Sequence, residues 1–302
     1  MPPRGLTRRD LLTATGGLLL AGPRLLHARE TSARRIERIL AVGDSWSAGM
    51  VEPLAGNPIQ THLDESPRKG IGVAGARETA IGGTRAAEWA GPRKGVLLKA
   101  LEKRPTVDVV HMTLGPNDLH AVALKRNLAE MPKEEFAGMF AGIAKDIGAV
   151  VDAILGVRPA LKVAICGFDY IRLDGMLNFY KLNFHGLTQA DHNRCIVELA
   201  KATRGVAEKR KDRCLYVHNL GLFQNAYGDP AEGYPAGKVP KPGGPPAYDP
   251  FPGGDPSKPS PAKAFETRLL GIPVNDGVHP NAGGYRLLFQ NSLDQGLGRW
   301  LA

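Results

Sequence analysis

The chain has 302 residues, of which 43% are hydrophobic and 23% are charged, and its formal net charge is +9. This composition excludes a fibrous, coiled-coil or wholly disordered protein, and the length suits one large domain or two small ones. Removing residues 1–28, which hold four Arg and one Asp, leaves a charge of +6. The remaining Lys and Arg are scattered and accompany no nucleic-acid-binding motif, so nucleic acid is not an expected partner.

The first residues have the layout of an export signal. Arg8 and Arg9 precede a modest apolar run, Leu11 to Leu20, which is too short to span a bilayer as a helix. A small residue follows where cleavage would occur. The adjacent arginines, the glycines within the apolar run and Arg24 just beyond it resemble the twin-arginine signal of bacteria. We therefore expect residues 1–28 to be a twin-arginine-type signal peptide, recognised by the twin-arginine export machinery, and the mature protein to be periplasmic or secreted.

The rest of the chain alternates short apolar runs with longer segments of helical spacing. Runs rich in Val, Ile and Leu predict strands at 38–43, 107–114, 161–166 and 214–220, with a weaker strand within 70–81. Helical spacing predicts helices at 85–103 (broken near Gly91-Pro92), 133–155, 188–209 and 281 to about 300. This alternation predicts a parallel sheet covered by helices on both faces, in a single domain over 29–302 with no membrane-spanning run.

Residues 228–263 have a different composition from the rest of the chain. These 36 residues include 11 Pro and 7 Gly, so half of the segment is unsuited to an ordinary helix or strand. We predict a long surface loop inserted before the last helix. Loops of this length are commonly functional or disordered.

The three cysteines, Cys166, Cys195 and Cys214, leave the disulfide question open. An exported protein meets oxidising conditions, but the spacing does not say whether any pair is bonded. The chain has no CxxC or HExxH pattern, and we expect neither a metal nor another cofactor.

Four polar, glycine-bearing turns are predicted to meet at one edge of the sheet. They are Gly43-Asp44-Ser45 and the turns at 81–84, 115–118 and 275–281. The carboxyl ends of parallel strands share one edge, where ligands bind. Asp44 and Asp118 are interpreted as turn and capping residues that hold these loops.

Together these turns contain the groups that a serine nucleophile needs. The Ser45 hydroxyl requires a base, which His279 can supply, and Asp276, three residues earlier, can orient the imidazole. Attack on a carbonyl creates an oxyanion that requires preorganised donors. The Ser45 N–H, the Gly83 N–H and the Asn117 side chain suit that role, so we predict them as the oxyanion hole.

The pattern resembles the SGNH hydrolases, also called the GDSL esterase/lipase family. Ser45 lies in "GDSWSAG", Gly83 in "AIGGT", Asn117 in "GPND" and His279 in "DGVHPN". The resemblance covers essentially all of the mature chain. It implies a flavodoxin-like, three-layer α/β/α sandwich with about five parallel strands, and the hydrolysis of carboxylic esters or thioesters without a metal.

Two positions depart from the family pattern. Trp46 replaces the leucine of "GDSL", and Glu78 stands where the second block often has an asparagine. The second departure bears on the choice between Gly82 and Gly83 as oxyanion donor. Gly83 is preferred because a small polar residue follows it.

The sequence thus predicts an exported serine esterase acting on short-chain acyl, lipid or O-acetylated carbohydrate esters. The substrate would be a small molecule or a polysaccharide. One alternative is a carbohydrate O-acyltransferase that uses the same site. Another is a non-catalytic protein that binds envelope polysaccharide through residues 228–263. The aromatic segment 168–184 is expected to be either a loop packed on the core or a wall of the substrate pocket.

Overall fold

A computed structural model describes residues 35–52, 56–269 and 272–302, so the predicted signal at 1–28 lies outside the described residues. The strands are β1 Ile36–Gly43, β2 Ile71–Ala74, β3 Val109–Thr113, β4 Lys162–Cys166, β5 Cys214–Val217, β6 Thr267–Leu269 and β7 Ile272–Val274. The helices are α1 Ser45–Val51, α2 Pro58–Asp64, α3 Ala86–Ala90, α4 Lys94–Glu102, α5 Pro116–Ala123, α6 Lys133–Leu155, α7 Leu173–Tyr180, α8 Gln189–Glu208, α9 Leu222–Tyr227, α10 Ala282–Ser292 and α11 Gly298–Trp300. None of the described helices is both long and apolar enough to cross a membrane.

The described residues contain a five-stranded, all-parallel sheet in the order β2–β1–β3–β4–β5. Helix α6 contacts α3, α4 and α8 in one layer, and α10 contacts α1 and α2 in another. The protein is therefore a three-layer α/β/α sandwich of flavodoxin-like strand order, which confirms the predicted fold. The strand order reverses between β1 and β3, and the crevice at that point is where such sheets bind ligands.

The strong elements follow the apolar pattern of the sequence. Every residue of β3 is buried, as expected for a strand covered on both faces. Helix α6 buries Phe140, Ile143, Ile147 and Val150 among the residues of its apolar stripe. The predicted helix at 85–103 is divided into α3 and α4 by a turn at Gly91-Pro92. The short helices α1, α2, α5, α7 and α9 and the hairpin β6–β7 were not predicted, because they are too short to show a period.

Residues 228–263 form an irregular segment that packs against the edge of the sheet. The Tyr248 hydroxyl donates to the Tyr216 carbonyl oxygen in β5 at 3.0 Å, and Tyr248 is buried. The Arg204 guanidinium lies over the rings of Tyr248 and Phe251. An open edge strand exposes unpaired backbone groups that invite association with another chain. Many of its residues are exposed, as in the predicted surface loop, but buried aromatic residues pack it against β5, and residues 228–263 are called the edge cover below.

The three cysteines are buried and have free thiols. The structure thus forms no disulfide between Cys166, Cys195 and Cys214. Burial raises the pKa of each thiol to about 12, so all three remain protonated at neutral pH.

Candidate active site

The proposed nucleophile lies at the junction of β1 and α1. Gly43 ends β1 with φ +131°, and a Cβ there would lie 1.9 Å from the Thr113 carbonyl oxygen, so only glycine fits. The Asp44 N–H donates to that carbonyl oxygen at 3.1 Å. Ser45 then begins α1 and is only partly buried. Strand pairing with β3 therefore fixes the backbone immediately before Ser45.

Asp44 has the capping role expected from the sequence. Its Oδ1 accepts hydrogen bonds from the Trp46 N–H at 3.0 Å and from the Thr113 hydroxyl at 2.9 Å. Burial raises the pKa of Asp44 to about 7, although the Thr113 and Trp46 hydrogen bonds act in the opposite direction. Because Asp44 also interacts electrostatically with His279, its charge contributes to the field at the base.

The Asp276 carboxylate orients His279 and is itself almost fully hydrogen-bonded. His279 Nδ1 lies 2.5 Å from Asp276 Oδ2. The other oxygen, Oδ1, accepts from the backbone N–H groups of Val278 at 3.0 Å and His279 at 2.8 Å. Gly277 has φ +73°, and a Cβ there would lie 2.4 Å from the Arg172 carbonyl oxygen, so the turn requires glycine. The tight turn therefore brings a carboxylate and an imidazole three residues apart into contact.

This contact shifts the pKa of both groups. Burial alone would raise the pKa of Asp276, but the charge of His279 and the hydrogen bonds from its ring and backbone lower it to about 2. Burial alone would lower the pKa of His279, but the Asp276 charge and hydrogen bond raise it above its ordinary value. The pair thus favours an ionised carboxylate beside an imidazole that readily accepts a proton.

The side chain of Trp46 links the segment that holds Ser45 to the turn that holds His279. Its indole N–H donates to the Val278 carbonyl oxygen at 2.9 Å. Trp46 directly follows Ser45 in the chain, and Val278 directly precedes His279. This hydrogen bond therefore joins the neighbour of Ser45 to the neighbour of His279. The Ser45 hydroxyl has no hydrogen bond within the described residues, and such contacts are commonly long before substrate binds.

Asn117 lies at the start of α5, directly after β3. Its Nδ2 donates one hydrogen to the Thr84 carbonyl oxygen at 3.0 Å, which leaves the second amide hydrogen for another acceptor. Asp118 next to it accepts from the Ala86 N–H at 2.9 Å and so caps the start of α3. The turn at 81–84 and the β3–α5 turn are therefore joined, as an oxyanion hole built from both would require.

The geometry of the two glycines differs in a way that the sequence did not indicate. A Cβ on Gly82 would lie 3.7 Å from the Cβ of Ser45, whereas a Cβ on Gly83, which has φ +75°, would meet open space. Within the described residues, neither N–H donates a hydrogen bond, so both are available to a ligand. Gly83 stays the predicted oxyanion donor, and Gly82 is the glycine that faces Ser45.

No metal centre accompanies these groups in the described part of the chain. Residues 35–52, 56–269 and 272–302 contain no cluster of three or more His, Cys, Asp or Glu side chains that could hold a metal ion. The histidine pair His120 and His192, whose Nε2 atoms are 3.0 Å apart, lacks a third ligand of these types.

Comparison with known proteins identifies the fold. No family model and no curated protein matches the chain. A protein described as a GDSL-like lipase from Parabacteroides merdae has a similar structure, with a TM-score of 0.52 and 15% identity over 87% of this chain and 96% of that one. The chain has the fold of the SGNH hydrolases. The gut microbial diltiazem-metabolizing enzyme BT4096 also has a similar structure, with a TM-score of 0.50 and 15% identity over 87% of this chain and 48% of that longer chain.

The SGNH fold accounts for the positions of the four sequence blocks. Ser45 and Asn117 follow β1 and β3, the two strands at the topological switch point. The turn at 81–84 precedes α3, and His279 precedes α10. All four blocks occur at loops or helix starts, where the scaffold holds functional side chains rigidly.

Sequence reasoning missed Tyr180, which lies against both members of the candidate acid–base pair. The Tyr180 hydroxyl donates to Asp276 Oδ2 at 2.8 Å and lies 3.2 Å from His279 Nδ1. Tyr180 ends α7, inside the aromatic segment 168–184 that was expected to be a core loop or a pocket wall. The aromatic density of that segment was the available signal, but nothing in it points to a hydrogen bond with a residue 96 positions away.

Proposed function

We propose that the protein is an exported serine ester hydrolase with Ser45 as nucleophile. The observation that carries this proposal is the Asp276–His279 contact, tethered to the Ser45 helix through Trp46 and Val278. A hydrogen-bonded carboxylate and imidazole, joined through Trp46 and Val278 to the helix that the partly exposed Ser45 begins, suits the activation of a hydroxyl for acyl transfer.

The reaction proceeds in two halves. The Ser45 Oγ attacks the ester carbonyl while His279 Nε2 takes its proton, and Asp276 stabilises the resulting imidazolium. The Ser45 N–H, the Gly83 N–H and the Asn117 Nδ2 stabilise the oxyanion. His279 then gives the proton to the leaving alcohol. A water molecule, deprotonated by His279, cleaves the acyl-enzyme, releases the carboxylic acid and restores the Ser45 hydroxyl.

The substrate proposed is a short-chain acyl, lipid or O-acetylated carbohydrate ester. The carbohydrate O-acyltransferase alternative uses the same acyl-enzyme, with a sugar hydroxyl in place of water. The polysaccharide-binding alternative assigned the contact to residues 228–263, but Tyr248 in that segment is buried against β5. The intact Ser45–His279–Asp276 set favours an enzyme over a non-catalytic binding protein.

The test uses a fluorophosphonate probe and p-nitrophenyl esters on the purified protein. We expect the probe to label wild type and Ser257→Ala, an exposed serine in the edge cover, but not Ser45→Ala. The Ser45→Ala variant should lose on the order of 10⁴-fold or more in kcat. Equal labelling of Ser45→Ala, or no labelling of wild type, would overturn the proposal. Turnover only after a sugar acceptor is added would instead indicate transfer.

Export by the twin-arginine route is part of the proposal, and it is supported by the order of charged, apolar and small residues in 1–28. Replacing Arg8 and Arg9 together by Lys should retain the precursor in the cytoplasm. Fractionation of cells that express either form measures this. Unchanged export of the double variant would contradict the twin-arginine assignment.

A further inference from the structure

The hydrogen bonds of Tyr180 connect helix α7 with the proposed acid–base pair. Asp276 Oδ2 lies 2.8 Å from the Tyr180 hydroxyl and 2.5 Å from His279 Nδ1, so one carboxylate oxygen has two donors. With the two backbone N–H groups on Oδ1, the carboxylate has four donors among the described residues. Tyr180 supplies the only one of these four that comes from outside the turn 276–279.

The direction of the Tyr180 hydrogen bond follows from the chemistry of the histidine. For Nε2 to take the serine proton, neutral His279 must carry its hydrogen on Nδ1, where Asp276 accepts it. Nδ1 then has no free lone pair, although it lies only 3.2 Å from the Tyr180 oxygen. The Tyr180 proton therefore goes to Asp276. Burial and the Asp276 charge raise the pKa of Tyr180, so its hydroxyl remains a donor throughout the neutral range.

Helix α7 is held firmly against the catalytic turn. The Arg172 N–H, just before α7, donates to the Gly277 carbonyl oxygen at 2.8 Å. The Arg172 guanidinium is held by the Ser260 carbonyl oxygen at 3.2 Å and by Asp229 and Glu232, both at 3.4 Å. Tyr180 thus projects from a helix that is anchored to both the turn and the edge cover, which gives its hydroxyl a fixed position.

We infer that Tyr180 is a positioning residue for the acid–base pair. Its hydroxyl holds Asp276 Oδ2 against His279 and draws part of the negative charge away from the imidazole. The backbone of the turn binds only Oδ1, and on Oδ2 the Tyr180 hydroxyl joins the His279 ring, so it helps to fix the rotation of the carboxylate. This inference rests on the proposed hydrolase function, because it concerns the availability of His279 as a base.

The Tyr180→Phe variant should therefore alter the basicity of His279. Without the hydroxyl, Oδ2 keeps more of its charge, which favours the imidazolium. The pKa of His279 should rise by roughly half a unit to one unit, and the acid limb of the pH profile of kcat/KM should move upward equally. The loss of a supporting hydrogen bond should lower kcat by about 10–100-fold, with KM nearly unchanged.

Other titratable groups also influence the pKa of His279, and their effects must be distinguished from that of Tyr180. Asp276 and Asp44 interact with it electrostatically, and the buried Tyr285 in α10 interacts with both carboxylates. Since the pKa of Asp44 is itself raised to about 7, a shifted activity limb alone would not identify the group. NMR of the His279 ring nitrogens, assigned with a His279→Gln variant, measures the titration of that imidazole directly.

The matched control is Tyr248→Phe, which also removes one tyrosine hydroxyl that donates to a single acceptor, but at the sheet edge. We expect the His279 pKa to move only in Tyr180→Phe, with both variants folded by circular dichroism. An unmoved His279 pKa in a folded Tyr180→Phe variant would overturn the inference. So would a raised KM with unchanged kcat, which would make Tyr180 a substrate contact. Failure of wild-type Ser45 labelling would refute the hydrolase proposal instead, and the NMR measurement does not depend on it.

Discussion

The two halves of the candidate site are held in place by different kinds of interaction. Ser45 and Asn117 follow β1 and β3, which pair along their length from Ile39–Val109 to Gly43–Thr113. Asp276 and His279 instead lie in a turn outside the sheet, between the hairpin β6–β7 and α10. The nucleophile side is fixed by a backbone ladder in the core, and the base side is fixed by a small number of separate contacts.

Asn275 and Asn281, at the ends of the turn, bind carbonyl oxygens within 262–266, but only three distant groups in the described part of the chain bind the residues between them. The Trp46 indole binds the Val278 carbonyl oxygen, the Tyr180 hydroxyl binds Asp276, and the Arg172 N–H binds the Gly277 carbonyl oxygen. The backbone hydrogen bonds between β1 and β3 remain when one side chain is lost, so the strands stay paired. Comparable single substitutions should therefore reduce activity more on the base side than on the nucleophile side.

Among the changes that compare the two sides, Asp276→Asn should have the largest effect. The amide cannot stabilise the imidazolium and favours the wrong histidine tautomer, so kcat should fall by about 10⁴-fold. Hydrolysis of p-nitrophenyl acetate by purified variants measures this. Asp174→Asn, an exposed carboxylate on α7, should retain wild-type kcat. A loss of less than tenfold in Asp276→Asn would mean that His279 does not depend on this carboxylate.

On the nucleophile side, Asn117→Ala should have a smaller effect on kcat. Loss of one oxyanion-hole donor lowers kcat by about 10²–10³-fold, with little change in KM. The control is Asn127→Ala, whose side chain caps a short turn at 128–130. The same ester assay provides both constants. Wild-type kcat in a folded Asn117→Ala variant would remove Asn117 from the oxyanion hole.

A pair of tryptophans tests the difference between the two sides most directly. Trp46 and Trp89 are both buried, and each indole N–H donates a hydrogen bond of 2.9 Å. Trp46 donates to the Val278 carbonyl oxygen on the base side, and Trp89 donates to the Thr84 hydroxyl on the nucleophile side. Either Trp→Phe change should cost about 0.5–1.5 kcal/mol of unfolding free energy. Only Trp46→Phe should also lower kcat, by roughly tenfold, since it loosens the His279 turn.

Urea unfolding and ester kinetics on both tryptophan variants provide the comparison. An equal loss of kcat in Trp46→Phe and Trp89→Phe would show that activity depends as much on single hydrogen bonds on the nucleophile side as on the base side. That outcome would contradict the expected difference between the two sides, even if each variant lost the expected stability.

The nucleophile side was also the more predictable from sequence. Ser45 and Asn117 follow apolar strands, and the rule that the ends of parallel strands share an edge brings them together without knowledge of side-chain contacts. The alternation of strands and helices predicted the parallel sheet, and the family resemblance implied about five strands. By contrast, the contacts of Tyr180 and Trp46 with the base turn depend on packing between segments 96 and 232 residues apart. No local periodicity encodes such contacts, so the sequence placed Trp46 in its motif without revealing its function.

The edge cover shows another limit of sequence reasoning. Its composition correctly argued against helices and strands, because Pro lacks an N–H donor and Gly is costly to order. Composition says nothing about which aromatic side chains reach the core. The burial of Tyr234 and Tyr248 therefore could not be predicted, although it makes the segment part of the folded body.

The smallest effect on catalysis is expected from a change in this edge cover. Tyr248→Phe removes the hydrogen bond to the Tyr216 carbonyl oxygen and leaves that edge acceptor without its tyrosine donor. The unfolding free energy should fall by about 0.5–1.5 kcal/mol, or a few degrees in Tm, while kcat stays within about twofold of wild type. Calorimetry and the ester assay measure the two quantities. A large loss of activity would mean that the edge cover affects the site. The contacts at β5 would then have to be added to those that hold the two sides in place.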